Sequence, residues 1–483
     1  MSVALIRGDG SLVDPLGGGS MHPARAPYNR SPMNPDRMHA EALSPGLRVT
    51  GQVAVPGSKS IAQRALLLGA LAPGKALLQG DFSGADVDNL LRTLSSLGLQ
   101  PAAREPATLS WGHSRPVAAG GPVQVGESGT SARLWTAQIA LGVLGSGSRS
   151  IQAGGTLLRR RSPALLKCLR EAGAVLTPES PGQGDFPLTI NPAPNGDRAL
   201  RLDAPSSSQE VSALLLALAA RRGGPSPSAV LVSGAIPSRP YVDLTCAVLA
   251  AFGVRVSETP WNSAIRFDLA GKLEAPSEPY RVEADASAAA VALAAGCLSG
   301  GEVSVPGLGP ESIQGDRAIV DHLRQFGCRC DWTADGPRAS GRPQQGARLD
   351  LGGEPDLAPV LAAVAAAASH WGKGPSQLRG LGTLPGKESD RIAVLERGLR
   401  QLGFEVESSA TAMSISGTGH QLADPSHSLD PHGDHRMAFA FALLGLVLPG
   451  VRVREAQCVS KSWPAFWSTL RGQAPTDPGS RQA

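Results

Sequence analysis

The chain has 483 residues, 42% of them hydrophobic and 4% aromatic, with a formal net charge of +4. That length fits two domains with full cores. The mild charge and scarce aromatics exclude nucleic-acid binding through basic patches or base-stacking platforms.

Residues 1–44 are rich in Gly, Pro, Arg and Ser and lack an apolar signal core, so they read as a disordered N-terminal extension. An apolar strand, Val49 to Val55, then runs into Pro56-Gly57-Ser58-Lys59-Ser60-Ile61-Ala62-Gln63-Arg64, where a helix begins. Free backbone N–H groups and the positive end of the helix dipole make such a start an anion site. Ser60 and Arg64 are four apart and share one face. The segment is no nucleotide-binding P-loop: it reads Gly-Ser-Lys-Ser where that loop needs Gly-Lys-Ser/Thr.

A strongly apolar helix ending in Gly then recurs: Arg64–Gly74, Ser131–Gly145, Gln209–Gly223, Ser287–Gly300, Leu357–Gly372 and Arg436–Gly450. A second, amphipathic helix precedes Gly98, Gly173, Gly253, Gly327 and Gly403, which step by 75, 80, 74 and 76 residues; a degenerate copy ends near Gly472. Short Val-rich segments such as Ala229–Ser233 and Val303–Val305 supply strands. Helices without a polar face must be surrounded by other elements. The pattern therefore predicts an α/β chain of repeated units folded into two closed halves.

Polar and charged residues gather at the starts of these helices. Gly126-Glu127-Ser128-Gly129-Thr130-Ser131-Ala132-Arg133 enters the second, Ser206-Ser207-Ser208-Gln209 the third, and Asp434-His435-Arg436 the sixth, with Asp434 an N-cap. Elsewhere lie Leu158-Arg159-Arg160-Arg161-Ser162, Lys387-Glu388-Ser389-Asp390-Arg391, and Lys461 in Val459-Ser460-Lys461-Ser462. Lysine is rare, seven against 38 arginines, so Lys59, Lys387 and Lys461 in motifs point to chemistry. Two ligands that each carry a phosphate and a carboxylate total roughly −5 to −6. Lys59, Arg64, Arg133, Arg161, Lys387, Arg391, Arg436 and Lys461 would balance such a pair.

The six cysteines form no C-x-x-C pair, and the nine histidines show no H-E-x-x-H spacing. A reduced cytoplasmic protein without a metal is expected. The apolar run Met437 to Val451 is shorter than the ~20 residues of a membrane span.

Taken together, these motifs resemble the 5-enolpyruvylshikimate-3-phosphate synthases, also called 3-phosphoshikimate 1-carboxyvinyltransferases. The pieces that carry the likeness are Pro56-Gly57-Ser58-Lys59-Ser60, Gly129-Thr130 with Arg133, Ser207-Ser208-Gln209, Ser238-Arg239-Pro240-Tyr241, Lys387-Glu388-Ser389-Asp390-Arg391 and Asp434-His435-Arg436-Met437-Ala438. They appear in order between about Gly46 and Gly472.

The resemblance implies two similar inside-out α/β barrel domains, each of three βαβαββ-type repeats, with the active site in the interdomain cleft. It places the first domain at 57–281, the second at 45–56 plus 282–472, and leaves 473–483 as a C-terminal tail. It implies transfer of the enolpyruvyl group of phosphoenolpyruvate to the 5-hydroxyl of shikimate 3-phosphate, by addition and elimination through a tetrahedral intermediate. That step serves chorismate and aromatic amino-acid biosynthesis and is the target of glyphosate. No cofactor or metal is implied, and the partners are the two small substrates, with no nucleic acid, no membrane and a monomeric enzyme.

By the same resemblance, shikimate 3-phosphate is held by Lys59, Ser60, Arg64, Ser207, Ser208, Gln209, Ser238, Tyr241, Asp356 and Lys387, with Arg239 beside Tyr241. Phosphoenolpyruvate is held by Lys59, Gly129, Arg161, Gln209, Arg391, Arg436 and Lys461. Asp356 takes the 5-hydroxyl proton, and Glu388 with Lys59 handles the proton at the methylene carbon. The chain departs from the family pattern at Glu127, Trp135 and Thr383, and at Ser162, which follows Arg161 where proline is usual and leaves that arginine's alignment open by one residue. Gly129 leaves room at the phosphoenolpyruvate site and implies glyphosate sensitivity. The alternatives are a UDP-N-acetylglucosamine enolpyruvyl transferase, disfavoured because the arginine-rich segment carries no cysteine, and an inactive anion-binding paralogue, disfavoured because Asp356 and Glu388 are both present.

Overall fold

The computed structural model describes residues 40–105, 107–112, 121–180, 182–193, 199–221, 229–420 and 428–472. Most of the expected N-terminal extension, 1–39, and the expected tail from 473 lie outside the described residues.

Six helices are buried almost all round: Lys59–Leu71, Gly129–Ala140, Ser208–Ala220, Ala286–Ser299, Ala358–His370 and His435–Gly445. In Ala286–Ser299 only the two serines escape full burial. Alanine and leucine without a polar face leave such a helix stable only inside other elements. Accordingly the first three helices pack on one another, and so do the last three. Two separate apolar cores result. One draws on residues from Ile61 to Val282, the other on Leu43, Val49, Val53 and residues from Ala286 to Leu470.

Small sheets clothe these helices. Among the described residues the strands form five four-stranded sheets. All five share one pairing scheme: a parallel pair, then two antiparallel strands. A sixth unit survives only as bridges, Leu429 parallel and Glu41 antiparallel to Val453. The fold is thus the two-domain α/β arrangement of repeated units that the sequence predicts.

The amphipathic helices explain the period. They span Ala85–Ser96, Pro163–Glu171, Pro240–Ala251, Ile319–Gln325, Arg391–Gln401 and Phe466–Leu470. Each stops at a glycine with positive φ, 74° at Gly98 and 89° at Gly403. The next amide then turns back on the helix, Leu99 N to Leu94 O at 2.8 Å and Phe404 N to Leu399 O at 3.1 Å. Only glycine adopts that left-handed stop without strain, so the chain repeats it wherever a helix must turn into a strand.

The chain crosses between the two cores twice. Gly51–Gln52 pairs in parallel with Val303 and Ser304, in the sheets of the second core. Tyr280–Arg281 pairs in parallel with Leu78 and Gln79, in the sheets of the first. The two connections run side by side: Ser58 N bonds Glu283 O at 2.8 Å, and Asp285 N bonds Pro56 O at 2.9 Å. A side chain at Gly57 would overlap Asp81 O, so the crossing admits no Cβ there.

Three boundaries differ from the sequence reading. The strand expected over Val49–Val55 is only Gly51–Gln52, because the chain leaves the sheet to cross over. The first buried helix starts at Lys59, five residues earlier than expected, because Ser58 caps it through Ile61 N. Residues 40–44 are not part of a disordered extension: Glu41 exchanges backbone bonds with Val453 at 3.0 and 2.8 Å, and Leu43 is buried.

Candidate active site

The helix starts converge between the two cores. Within Lys59–Leu71, only Lys59 and Ser60 are not buried. Lys59 reaches Asp86 at 3.1 Å, while its backbone N–H donates to Asp285, the cap of the fourth buried helix, at 3.1 Å. Arg64, 1% exposed, donates to Thr245 Oγ1 at 2.7 Å, Ser60 O at 2.7 Å and Ser212 Oγ at 3.1 Å. None of those partners is charged, and burial lowers its pKa to about 10.

Two more starts lie beside it. Ser128 caps the second buried helix, and Gln63 from the first donates to Ser128 Oγ at 2.9 Å, joining the two starts. Gln209 spans to the same helix, donating to Thr130 Oγ1 and accepting from Arg133 Nη1, both at 3.0 Å. Ser207 caps the third buried helix, and Glu210 holds the preceding turn through Ser206 N and Oγ. Ser238 stands in the left-handed region at φ 53°, a strained placement for a non-glycine residue that is common at functional sites.

The opposite wall is dense with ions. Asp356, on the short turn Pro355–Leu357, meets Arg391 at 2.8 Å, Arg436 at 3.1 Å and Lys387 at 3.2 Å. Tyr241, from the first core's elements, donates its hydroxyl to Asp356 at 3.2 Å across the gap. Glu388 meets Arg391 at 2.9 Å, Lys461 at 3.3 Å and Arg160 at 3.8 Å. Asp434, fully buried, caps the sixth buried helix through Arg436 N and holds Arg391 Nε at 2.8 Å.

Electrostatics follow from that geometry. Burial alone would raise the Asp356 carboxyl, but Arg436, Lys387 and Arg391 pull it well below the usual carboxylate range. Glu388 is likewise pushed up by burial and pulled well down by Lys461, Arg391 and Arg160. Both are ionised at neutral pH. Burial lowers Lys387, and it holds His435 well below the ordinary imidazole value, so His435 is neutral. Lys461 is pushed down by burial and raised overall by Glu388, Asp86 and Glu127.

Lys59, Ser60, Arg64, Gly129, Ser207, Ser208, Gln209, Ser238, Tyr241, Asp356, Lys387, Glu388, Arg391 and Arg436 line one narrow chamber of about 60 Å³. It shares Arg160, Ser207, Gln209, Ser238, Lys387 and Glu388 with a wider mouth of about 520 Å³. Lys461 reaches the chamber through Glu388 and also donates to Glu127 O at 3.3 Å.

Two expected residues lie elsewhere. Arg161 stands in the wider mouth and donates to Gly182 O, while its neighbour Arg160 enters the chamber beside Gly129 and Glu388. Arg160 and Arg161 precede Ser162, the cap position of the helix Pro163–Glu171, and of the two only Arg160 lines the chamber. Arg239 turns outward, paired with Asp243 at 3.0 Å and with Glu258.

Asp86 and His435 also line the chamber, and neither stood among the expected site residues. His435 is adjacent to Arg436 in a motif already singled out, but Asp86 opens an ordinary-looking amphipathic helix and nothing in its spacing marks it. Of the family departures, Glu127 accepts from Thr156 N and Oγ1 at 3.4 and 3.3 Å, and Thr156 lines the wider mouth. Trp135 is buried in the first core, and Thr383 lines the wider mouth.

Cations outnumber acids in the chamber, and Asp356 and Glu388 are ionised. Such a site suits small ligands with several negative charges and offers bases for proton transfer. No metal-type cluster of His, Cys, Asp or Glu occurs among the described residues.

A family model described as EPSP synthase (3-phosphoshikimate 1-carboxyvinyltransferase) matches residues 43–470. A 3-phosphoshikimate 1-carboxyvinyltransferase of Laribacter hongkongensis is 36% identical over 447 residues, covering 89% of this chain and 98% of that protein. Another from Shewanella amazonensis is 32% identical over 445 residues, covering 90% and 99%. Among solved structures, an EPSP synthase of Acinetobacter baumannii aligns with a TM-score of 0.68 at 23% identity, over 90% of this chain and 97% of that one.

Proposed function

The chain belongs to the EPSP synthase family, and we propose that it transfers the enolpyruvyl group of phosphoenolpyruvate to the 5-hydroxyl of shikimate 3-phosphate, with release of phosphate. The observation that carries this reading is the pair of ionised carboxylates, Asp356 and Glu388, held on opposite ends of the Arg391 guanidinium.

The chemistry needs two anions brought together, a base and a proton donor within reach, and exclusion of water. Asp356 accepts the proton of the 5-hydroxyl as that oxygen attacks the central carbon of phosphoenolpyruvate. Lys59 supplies the proton to the methylene carbon. Glu388 removes a proton from the resulting methyl group as phosphate leaves, which restores the double bond and completes the enol ether.

Shikimate 3-phosphate lies on Ser60, Arg64, Ser207, Ser208, Gln209, Ser238, Tyr241 and Lys387. The uncharged partners of Arg64 support this, since its charge has no internal acid to answer it. Phosphoenolpyruvate lies on Lys59, Gly129, Gln209, Arg391, Arg436 and Lys461, with Arg160 taking the place expected for Arg161. The two cores support domains of about 57–281 and 45–56 plus 282–472, with Val282 still packed in the first core and the second reaching back to residue 40. One chain supplies both walls of the chamber, which supports a monomer. Six free thiols support a cytoplasmic setting.

The test is phosphate release from phosphoenolpyruvate. Release that depends on shikimate 3-phosphate is expected. Release driven only by UDP-N-acetylglucosamine, or none with either acceptor, overturns the reading.

A further inference from the structure

Arg436 has a partner set deeper than the chamber. Its Nη2 donates to Ser287 Oγ at 3.1 Å, its Nη1 donates to Asp356 O at 3.1 Å, and Asp316 Oδ2 lies 4.0 Å from Nη1. Ser287 in turn donates its hydroxyl proton to Asp316 Oδ2. That donation fixes the Ser287 lone pairs toward Arg436. Asp316 is 3% exposed, and its Oδ1 has no hydrogen-bond partner. A buried carboxylate oxygen left bare is costly and favours the protonated form.

The segment that carries Asp316 is tied to the crossing. Ser312 Oγ donates to Glu283 at 2.6 Å, and Gln314 donates to Glu283 at 3.0 Å and to Ala284 O at 2.8 Å. Gln314 also accepts from Ala286 N at 3.1 Å. Asp316 therefore stands on a turn fixed to the connection between the two cores, with its Oδ2 4.0 Å from Arg436 Nη1.

We propose that Asp316 is a positioning residue that acts through Ser287 on Arg436, and that it takes up a proton from solvent as the carboxylate of phosphoenolpyruvate settles on that guanidinium. The inference rests on the reading of Arg436 given above.

The groups facing Asp316 set the direction. Asp285 and Ser287 come from the start of helix Ala286–Ser299, Arg436 from the sixth buried helix, Asp356 from its short turn and Tyr241 from across the chamber. On the following helix, Asp321 is paired with Arg324 at 2.9 Å and His322 with Glu354 at 2.8 Å. Burial, Asp356 and Asp285 raise the Asp316 carboxyl; Arg436 and the Ser287 hydrogen bond lower it; the balance is about 7. An arriving carboxylate draws on Arg436 and adds a negative charge nearby, so it pushes Asp316 further toward the acid form. Above that pH, ionised Asp316 competes with the substrate for Arg436.

The test is the KM for phosphoenolpyruvate between pH 6 and 8.5, at saturating shikimate 3-phosphate. Asp316→Asn, neutral throughout, should match wild type near pH 6 and show a KM several-fold lower than wild type at pH 8.5, with similar kcat. The substrate's own ionisation is common to both enzymes and cancels in their ratio. A constant ratio across the range, or a variant KM higher throughout, overturns the proposal.

Ser287→Ala serves as a second probe that leaves the carboxylate in place, whatever the fate of Asp316→Asn. Losing the donor raises the Asp316 carboxyl, so the rise in KM should move to higher pH; an unmoved profile overturns the proposal. Arg436→Lys separates the premise from the inference. If it leaves the KM for phosphoenolpyruvate unchanged, the placement of that substrate fails first.

Discussion

Arg64 and Arg391 are each 1% exposed, yet they face opposite surroundings. Arg64, in the first core's wall, has hydroxyls and carbonyls around it, and burial depresses it to about 10. Arg391, in the second wall, is pushed down by burial but raised overall by Asp434, Glu388 and Asp356. One wall thus holds a desolvated charge awaiting a counter-ion. The other holds charges already answered, whose task is to fix two carboxylates in ionised form. The difference teaches that one wall of the cleft leaves a buried cation without an acid, while the other uses its cations to hold carboxylates ionised.

Removing a base breaks the chemical side of that comparison most severely. Asp356→Asn should lower kcat by about a hundred- to ten-thousand-fold, with the KM for shikimate 3-phosphate changed far less, as read by phosphate release. A comparable loss from a purely structural collapse would appear instead as a lowered denaturation midpoint.

Deleting the two arginines sharpens it. Arg391→Met leaves Asp434, Glu388 and Asp356 without their shared cation and should cost about 3–5 kcal/mol of stability in denaturant titration. Arg64→Met leaves Ser212 and Thr245, which bond each other at 2.7 Å, and should hardly move the midpoint. It should raise the KM for shikimate 3-phosphate by roughly tenfold or more, the worth of a charge-assisted bond. Equal stability losses would dissolve the distinction.

Gly129→Ala probes the boundary between the walls. Its Cβ would stand 2.5 Å from Arg160 Nη1 and 2.9 Å from Arg133 Nη1. Moving Arg160 should raise the KM for phosphoenolpyruvate by roughly tenfold, within the range of overpacking costs. Inhibition by glyphosate should weaken in the same assay.

A gentler test uses pH. The folded Asp316 carboxyl stands above its unfolded value, so the native state holds the extra proton and stability falls as pH rises toward about 7. Asp316→Asn removes that loss. Its melting temperature relative to wild type should therefore climb between pH 5 and pH 8; a constant difference would refute the assignment. The smallest effect belongs to Arg239→Ala, whose half-exposed pairs with Asp243 and Glu258 are worth at most about 1 kcal/mol, with kinetics unchanged.

Much of this architecture was legible in the sequence because it rests on local rules. Apolar helices without a polar face, and glycines that must turn left-handed, print a period that needs no partner to be read. The polar helix starts were legible for the same reason: a cap and a dipole are local. What escaped depends on contacts far apart in the chain. Asp86 matters because a lysine 27 positions earlier lies 3.1 Å away, and Asp316 because a serine 29 positions earlier bonds it. Arg160 replaced Arg161 in the chamber because one residue of turn geometry decides which guanidinium points inward. Residues 40–44 looked like a tail because their strand partner, Val453, lies at the other end of the chain.

The paired connections at 53–58 and 282–285 also set an order for synthesis on the ribosome. All strands of the first core's sheets, closing with Tyr280–Arg281, emerge before the second core has its helices. Gly51–Gln52 is the first strand among the described residues, yet it must wait for Val303 and Ser304. The first body therefore folds as a completed insert inside an unfinished one. The strand that waits is two residues long and both are exposed, too short an edge to recruit a wrong partner meanwhile.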